Sequence, residues 1–310
     1  MDSLVMNAKT IVSNALESNA FKSTDASAGF INPEYWNREL LQHVEETIIL
    51  QSYAKIYDDI LDQDGASLNV TIGVEPSAAE ALVETTDVSI SEYTKTQVTF
   101  VPSEYGAAYQ LTDKEARRAF FDVAQDMTKE LGYRLALKRE EFARDLVRDG
   151  ASSNIVANGV DASAIDTSDI LSYDLLVQAA ATMRKNKLMP RVLFVSPMQK
   201  AQLAKAGDFK DASKYGGRET VLGGVLDKIY GIQIVECTTF TPSSGTDSKA
   251  VLMGYDAQGR PAFGIGRKAL PRVGVQRWER GRYTDLVATE EWDMKVLRAN
   301  GLVSIQTYDA

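Results

Sequence analysis

Apolar side chains fall at Ala116, Phe120, Val123, Met127, Leu131, Leu135, Phe142 and Leu146. Their spacing keeps one stripe on a 3.6-residue period, which predicts a single amphipathic helix over residues 113 to 148. Thr112 followed by Glu115 has the form of a capping box, and Gly150 falls where a left-handed C-cap belongs. Acids dominate the front half and bases the back half, as the helix macrodipole favours. Such a helix would be a rod of roughly 54 Å. A compact chain of this length is only about 50 Å across. The rod fits either the central helix of an α+β enzyme or a beam in an extended, flat subunit.

The flanking patterns are shorter. Residues 66 to 74 alternate Leu68, Val70, Ile72 and Val74 against polar or small neighbours, a half-buried strand. Residues 93 to 101 are β-branched and aromatic, a second strand. The two predict a long hairpin with a broad, acidic tip. A two-stranded ribbon is marginal in water unless something covers it, so it either folds back on its own core or lies on another chain. Upstream, residues 1 to 30 form a weakly patterned arm. Asn32 and Pro33 then open a helix whose face carries Trp36, Leu40 and Val44. Downstream, a helix capped by Ser172, the strand "RVLFVSP", a short helix "MQKAQLAKA" and the strands "IQIVEC" and "KAVLMGY" make an α/β layer over about 160 to 265. Two closing strands follow, with a turn at Asn300–Gly301.

Composition narrows the chemistry. The chain has 310 residues, 44% of them hydrophobic, enough for a real core. It has no apolar run of membrane-spanning length and no secretory signal pattern. One cysteine, Cys237, excludes an intrachain disulfide framework and points to a reducing compartment. One histidine, His43, and one cysteine cannot build a Cys/His zinc site. Walker and GxSxG motifs are absent, and "GIGRKALPRVG" fails the dinucleotide spacing. The acid pairs Glu45–Glu46, Asp58–Asp59 and Glu290–Glu291 read as solvated surface. No cofactor, metal or catalytic residue is assigned, and the chain is not expected to be an enzyme.

Charge supplies the candidate contact residues. The net charge is -9, which disfavours nonspecific nucleic-acid binding over the whole surface. Yet residues 259 to 282 hold Arg260, Arg267, Lys268, Arg272, Arg277, Arg280 and Arg282 against one acid, Glu279. The bland reading of that stretch is a solvated loop; the sharper one is a face for a neighbour's acids or for DNA. The hairpin tip is its opposite, with Glu75, Glu80, Glu84 and Asp87 and no base between 75 and 94.

The order of an arm, a helix opening "INPEYW", a hairpin, a long helix, an α/β layer with "VLFVSP" and "IYGIQIVEC", and a closing "NGLVSIQ" resembles the major capsid proteins of tailed double-stranded DNA phages. Within these it is most similar to the coat-protein branch of phage N-four and its relatives; haloarchaeal tailed viruses share the fold. The resemblance implies an α+β, Hong Kong 97-type capsid fold. Its implied parts are an N-terminal arm and helix (1–52), an extended hairpin loop (53–108), and a peripheral domain with a spine helix (109–159). An axial α/β domain (160–282) and return strands of the peripheral domain (283–310) complete it. The implied function is a structural subunit of an icosahedral head around double-stranded DNA, made in the host cytoplasm and located in the virion. The implied partners are further copies in pentamers and hexamers, a portal, decoration proteins and unspecifically held DNA, with no membrane. A separate scaffolding protein is also expected, because Met1 precedes the arm too closely for a built-in scaffolding segment. Residues 56 to 94 contain no lysine, so the isopeptide crosslink of some relatives is not expected. The alternatives are an encapsulin-type nanocompartment, which shares the fold, and a soluble α/β enzyme.

Overall fold

A computed structural model of the chain describes residues 46, 48–59, 61, 65–74, 78–79, 81, 87, 90, 92–119, 122–157, 159, 165–205, 228–242 and 247–309. Two compact units divide the chain, residues 1–43 and 44–310, and the described residues all belong to the second. The expected arm and the helix opening at Asn32 lie outside the described residues.

Three sheets organise the second unit. A four-stranded sheet runs β1 (Lys55–Tyr57), β10 (Phe263–Trp278), β11 (Tyr283–Val296), β4 (Ser103–Thr112). A six-stranded sheet runs β5 (Ser153–Val156), β12 (Leu302–Tyr308), β9 (Asp247–Tyr255), β6 (Met189–Val195), β8 (Ile232–Glu236), β7 (Lys228–Ile229). The third is the expected hairpin alone, β2 (Leu68–Gly73) against β3 (Lys95–Phe100), antiparallel with Leu68 opposite Phe100. Its alternation is visible as half-buried Leu68, Val70 and Ile72 between exposed Asn69, Thr71 and Gly73.

The long helix is not one rod. It divides into α1 (Asp113–Arg118) and α2 (Val123–Asp149). The capping box at Thr112 and Glu115 forms as expected, but it starts only the short helix. Ala119 is extended, and Asp122 caps α2 by accepting from the Gln125 N–H at 3.1 Å. An aspartate able to satisfy a free amide competes with the helix it would otherwise continue, and here it restarts the helix instead. The 27 residues of α2 still make a beam of about 40 Å. Gly150 follows with φ -80, not a left-handed cap. Glycine is needed there for closeness, because a Cβ would collide with the Val296 side chain and the Leu146 carbonyl.

The remaining helices are α3 (Tyr173–Lys185), capped by Ser172 as expected, and α4 (Pro197–Lys205). Alternation in the six-stranded sheet gives it two apolar faces. Leu193, Val195, Leu252, Val303 and Ile305 face α3, through its Leu176, Ala179, Ala180 and Met183. Val192, Phe194, Val251, Met253 and Leu302 face the other way and meet Ala143 and Val147 of α2. The front half of α2 instead places Leu131 and Leu135 on Leu286 and Ala288 of the four-stranded sheet. One helix therefore packs on both sheets. The buried stripe is Leu131, Leu135, Glu140, Ala143 and Val147, so Phe142 and Leu146 of the expected stripe sit at its margin.

The sheets cut across the expected domain boundaries. The division at 282/283 falls in the turn of the β10–β11 hairpin, whose strands pair from Phe263–Val296 to Trp278–Tyr283. The last strand, β12, pairs with β5 and β9 and so belongs to the six-stranded sheet rather than to the four-stranded one.

Two buried acids pin α2. Glu290, expected at the surface, is buried on β11, accepts from Trp292 Nε1 at 2.7 Å and lies 3.6 Å from Arg139 Nε. Adjacent strand residues face opposite ways, so Glu291 points instead toward Lys268, 4.0 Å away. Trp292 stacks on Tyr105, centroids 4.4 Å apart, and takes Phe142 of α2 edge-on at 5.3 Å. Glu140, wholly buried, accepts from the backbone N–H groups of Ile49 and Leu50 at 2.9 and 2.8 Å. Gln51 adds a bond to the Ala136 carbonyl at 2.9 Å. The segment that follows the N-terminal unit is thereby clamped to α2.

Burial is the main cause that raises the Glu140 pKa above the ordinary range, against the lowering by the backbone bonds from Leu50 and Ile49. A raised folded pKa means that its contribution is complete below the unfolded value of about 4.3 and lost as pH rises through the folded value. Glu140→Gln keeps an acceptor without the charge. We expect it to flatten that part of the pH dependence of the urea midpoint. Glu140→Ala leaves the Leu50 amide buried and unpaired, at a cost of about 1–3 kcal/mol at every pH. An unchanged pH profile in Glu140→Gln would show that the carboxyl is not the titrating group.

Candidate functional site

The surfaces, not a cleft, hold the unusual chemistry of this chain. Among the described residues no group of three or more metal-ligating side chains occurs, and no helix is long and apolar enough to cross a membrane. Cys237 is buried, and burial pushes its thiol up to about 12, which removes it as a nucleophile.

The basic stretch 259–282 is chiefly a strand rather than a loop. β10 occupies sixteen of its residues, and the half beyond Lys268 is exposed along its length apart from Ala269. Only Gly264–Gly266 are covered at the outer edge, by β1. Pro271 sits where the pairing with β11 shifts register, between Ala269 and Arg272. An edge strand with a bulge is where a sheet tolerates proline.

The seven bases divide by what they touch. Arg267 donates from Nε and Nη2 to both carboxylate oxygens of Asp58, at 2.7 and 2.5 Å. That hydrogen bonding holds the Asp58 carboxyl below its usual range. Lys268 Nζ donates to the Gly65 carbonyl at 2.7 Å. These two bases thus tie down the segment between β1 and β2, the root of the hairpin. Arg277 donates to both oxygens of Asp113 at the start of α1 and holds that carboxyl below its usual range too. Arg272 makes only a long bond to Thr289 Oγ1, 3.4 Å. Arg260 is exposed in the turn before β10, where its amide bonds to Asp256 Oδ1 at 2.8 Å. Arg280 and Arg282 are exposed, and their side chains make no ion pair among the described residues.

Arg267, Lys268 and Arg277 are therefore occupied within the chain, while Arg260, Arg272, Arg280 and Arg282 remain available. The sequence reading missed their companions. Lys114, Arg117 and Arg118 on exposed α1 line a pocket with Thr112, Asp113, Gly281 and Arg282. In sequence these bases fell in the first turns of the expected 113–148 helix; the four-residue turn "ERGR" is the signal that a strand end lies opposite them.

Of the acidic tip, Glu75, Glu80 and Glu84 lie outside the described residues, and Asp87 is exposed. Ile90 is 99% exposed and Tyr93 76%. Lys95, the first lysine of the hairpin, opens β3 beside Tyr93, its Nζ 5.1 Å from the ring centroid.

Comparison with known proteins accords with this architecture. A family model described as phage capsid protein matches residues 95–304. No curated protein sequence matches. Among solved structures, a chain from Mycobacterium phage Che8 superposes with a TM-score of 0.72 at 18% identity, covering 92% of this chain and 98% of its own. The capsid of Cyanophage P-SCSP1u gives 0.73 at 14% identity, covering 94% and 97%. The capsid of Cyanophage Pam1 gives 0.72 at 13% identity, covering 94% and 100%. With a family match across both large sheets and the helix that joins them, the chain belongs to the phage capsid protein family and is a major capsid protein of Hong Kong 97-type, α+β fold.

Proposed function

We propose that copies of this chain close into an icosahedral head around packaged double-stranded DNA. The observation that carries the reading is the family match, which spans both large sheets and α2. In the assembled tile, α2 and the four-stranded sheet serve as the peripheral domain. The six-stranded sheet serves as the axial domain at pentamer and hexamer centres. A separate scaffolding protein, a portal and decoration proteins complete the head, which forms in the host cytoplasm. DNA is held without sequence preference, since a subunit of charge -9 repels the backbone except at local basic patches. A match to a phage capsid family supports a genome container over an encapsulin shell or an enzyme.

The β2–β3 hairpin is the clamp between subunits in this reading. It is a two-stranded ribbon, and Ile90 and Tyr93 beyond it lie open. Its tip acids would be unfavourable against an acidic body and favourable against a neighbour's bases. Each such contact is weak when exposed, and repetition around a closed shell multiplies it.

Electron microscopy of the expressed protein, alone and with its scaffolding partner, should show closed shells; a persistent globular monomer in both would count against the reading. Nucleic acid inside native particles separates a head from an encapsulin. Deleting residues 75–88 should leave circular dichroism and melting unchanged yet abolish closed shells. If the deleted chain unfolds, the tip belongs to the subunit's own core; if it still closes normal shells, it is not a clamp. Mature particles boiled in detergent should release a single monomer band, because the hairpin tip offers no lysine; a ladder of multimers would refute noncovalent closure.

A further inference from the structure

The recess at the start of α1 is suited to anions. Lys114, Arg117, Arg118 and Arg282 line a space of about 590 Å³ together with Thr112, Asp113 and Gly281. The acids around it are already engaged. Asp113 accepts from Arg277, Glu115 is closed into the capping box with Thr112, and Glu279 lies 3.4 Å from Arg277 Nε. Among the described residues Lys114, Arg118 and Arg282 form no ion pair. Four cations thus share a space whose one acid is neutralised from outside it.

The arrangement is preformed. Arg282 has φ 56, in the left-handed region that glycine adopts more readily. Its carbonyl accepts from the Asp113 N–H at 3.1 Å, which holds the β10–β11 turn against α1. Arg117 is oriented by its Nε donating to the Asp113 carbonyl at 3.0 Å. A side-chain-bearing residue kept in that backbone state points to a use for its guanidinium.

Beyond the shell reading and independent of it, we propose that this recess binds a compact polyphosphate, either an inorganic chain or the phosphate tail of a nucleotide. Guanidinium groups hold phosphate oxygens in pairs, and an ammonium adds a point charge. Linked phosphates place several negative charges within one recess, which a lone orthophosphate does not. The shape of the site disfavours DNA. A duplex spreads its phosphates evenly along its axis and is held by a basic stripe. Here the bases are confined to one short helix and one turn. Exposed acids bound them along the chain, Asp122 just past α1 and Glu279 at the start of the turn. A subunit of net charge -9 repels the rest of a duplex, while a compact anion meets only the recess.

Isothermal titration calorimetry of the full-length subunit tests this with tripolyphosphate, ATP, orthophosphate and adenosine. Tripolyphosphate and ATP should bind, orthophosphate at least about tenfold more weakly, and adenosine not at all. Equal affinity for the first two assigns recognition to the phosphate chain; tighter ATP binding assigns a nucleotide as the source. Affinity should fall with salt. Lys114→Gln with Arg118→Gln should weaken tripolyphosphate at least about tenfold. Arg282→Gly suits the backbone there, so it should also weaken binding while circular dichroism shows the fold retained. Lys228→Gln, at an exposed position on β7 outside the recess, should bind as wild type. The proposal is overturned if the recess variants bind tripolyphosphate as wild type does, or if Lys228→Gln weakens binding as much as they do. It is also overturned if a short DNA duplex displaces the anion at a lower phosphate concentration.

Discussion

The burial of one helix by two different sheets is the constraint on which the rest of this subunit depends. A helix that packs on a single sheet can slide or tilt with it. Helix α2 cannot, because Leu131 and Leu135 are held by the four-stranded sheet while Ala143 and Val147 are held under the six-stranded one. The change of partner occurs where Arg139 reaches Glu290 and Phe142 meets Trp292. A buried ion pair contributes little net stability, yet breaking one side of it is costly. It therefore acts as a register mark, fixing which turn of α2 lies over which residue of β11. Every surface feature at the two ends of the subunit inherits its position from that register. The clamp of Glu140 on Ile49 and Leu50 lies one residue beyond Arg139, so the same turn of helix also holds the segment at residues 49–50.

How much of this was legible in the sequence depends on what competed locally. Ser172 and the Thr112–Glu115 box were readable because a cap needs only its own neighbours. The β2–β3 pair was readable from its alternation. The restart at Asp122 was hidden, since the apolar spacing in the sequence runs on past it and only the capping bond of Asp122 reveals it. β10 was hidden for a different reason. Its outer half is exposed, so it has no hydrophobic period to report, and its Pro271 and glycines read as a loop. β4 carries Tyr105, Ala107, Tyr109 and Leu111 at period two, a signal present in the sequence but overshadowed by the helix that follows. Which bases of the 259–282 stretch are occupied could not be read at all. Asp58 and Asp113 are remote from it along the chain, and only the pairing of β1 and β4 into the same sheet brings them near.

The exposed half of β10 carries the features by which a free sheet edge is made less adhesive. It presents Leu270, Val273, Val275 and Trp278 at 45–66% exposure, which on a flat edge would invite any passing strand. Arg272 and Arg277 interrupt that row, Pro271 removes a donor, and the register shifts between Arg267 and Arg272 bend it. These features suppress indiscriminate pairing without covering the apolar surface. Of the two arginines, Arg277 is held by Asp113 while Arg272 makes only a 3.4 Å bond to Thr289 Oγ1. A shell subunit must stay soluble as a free chain and become adhesive in one geometry only.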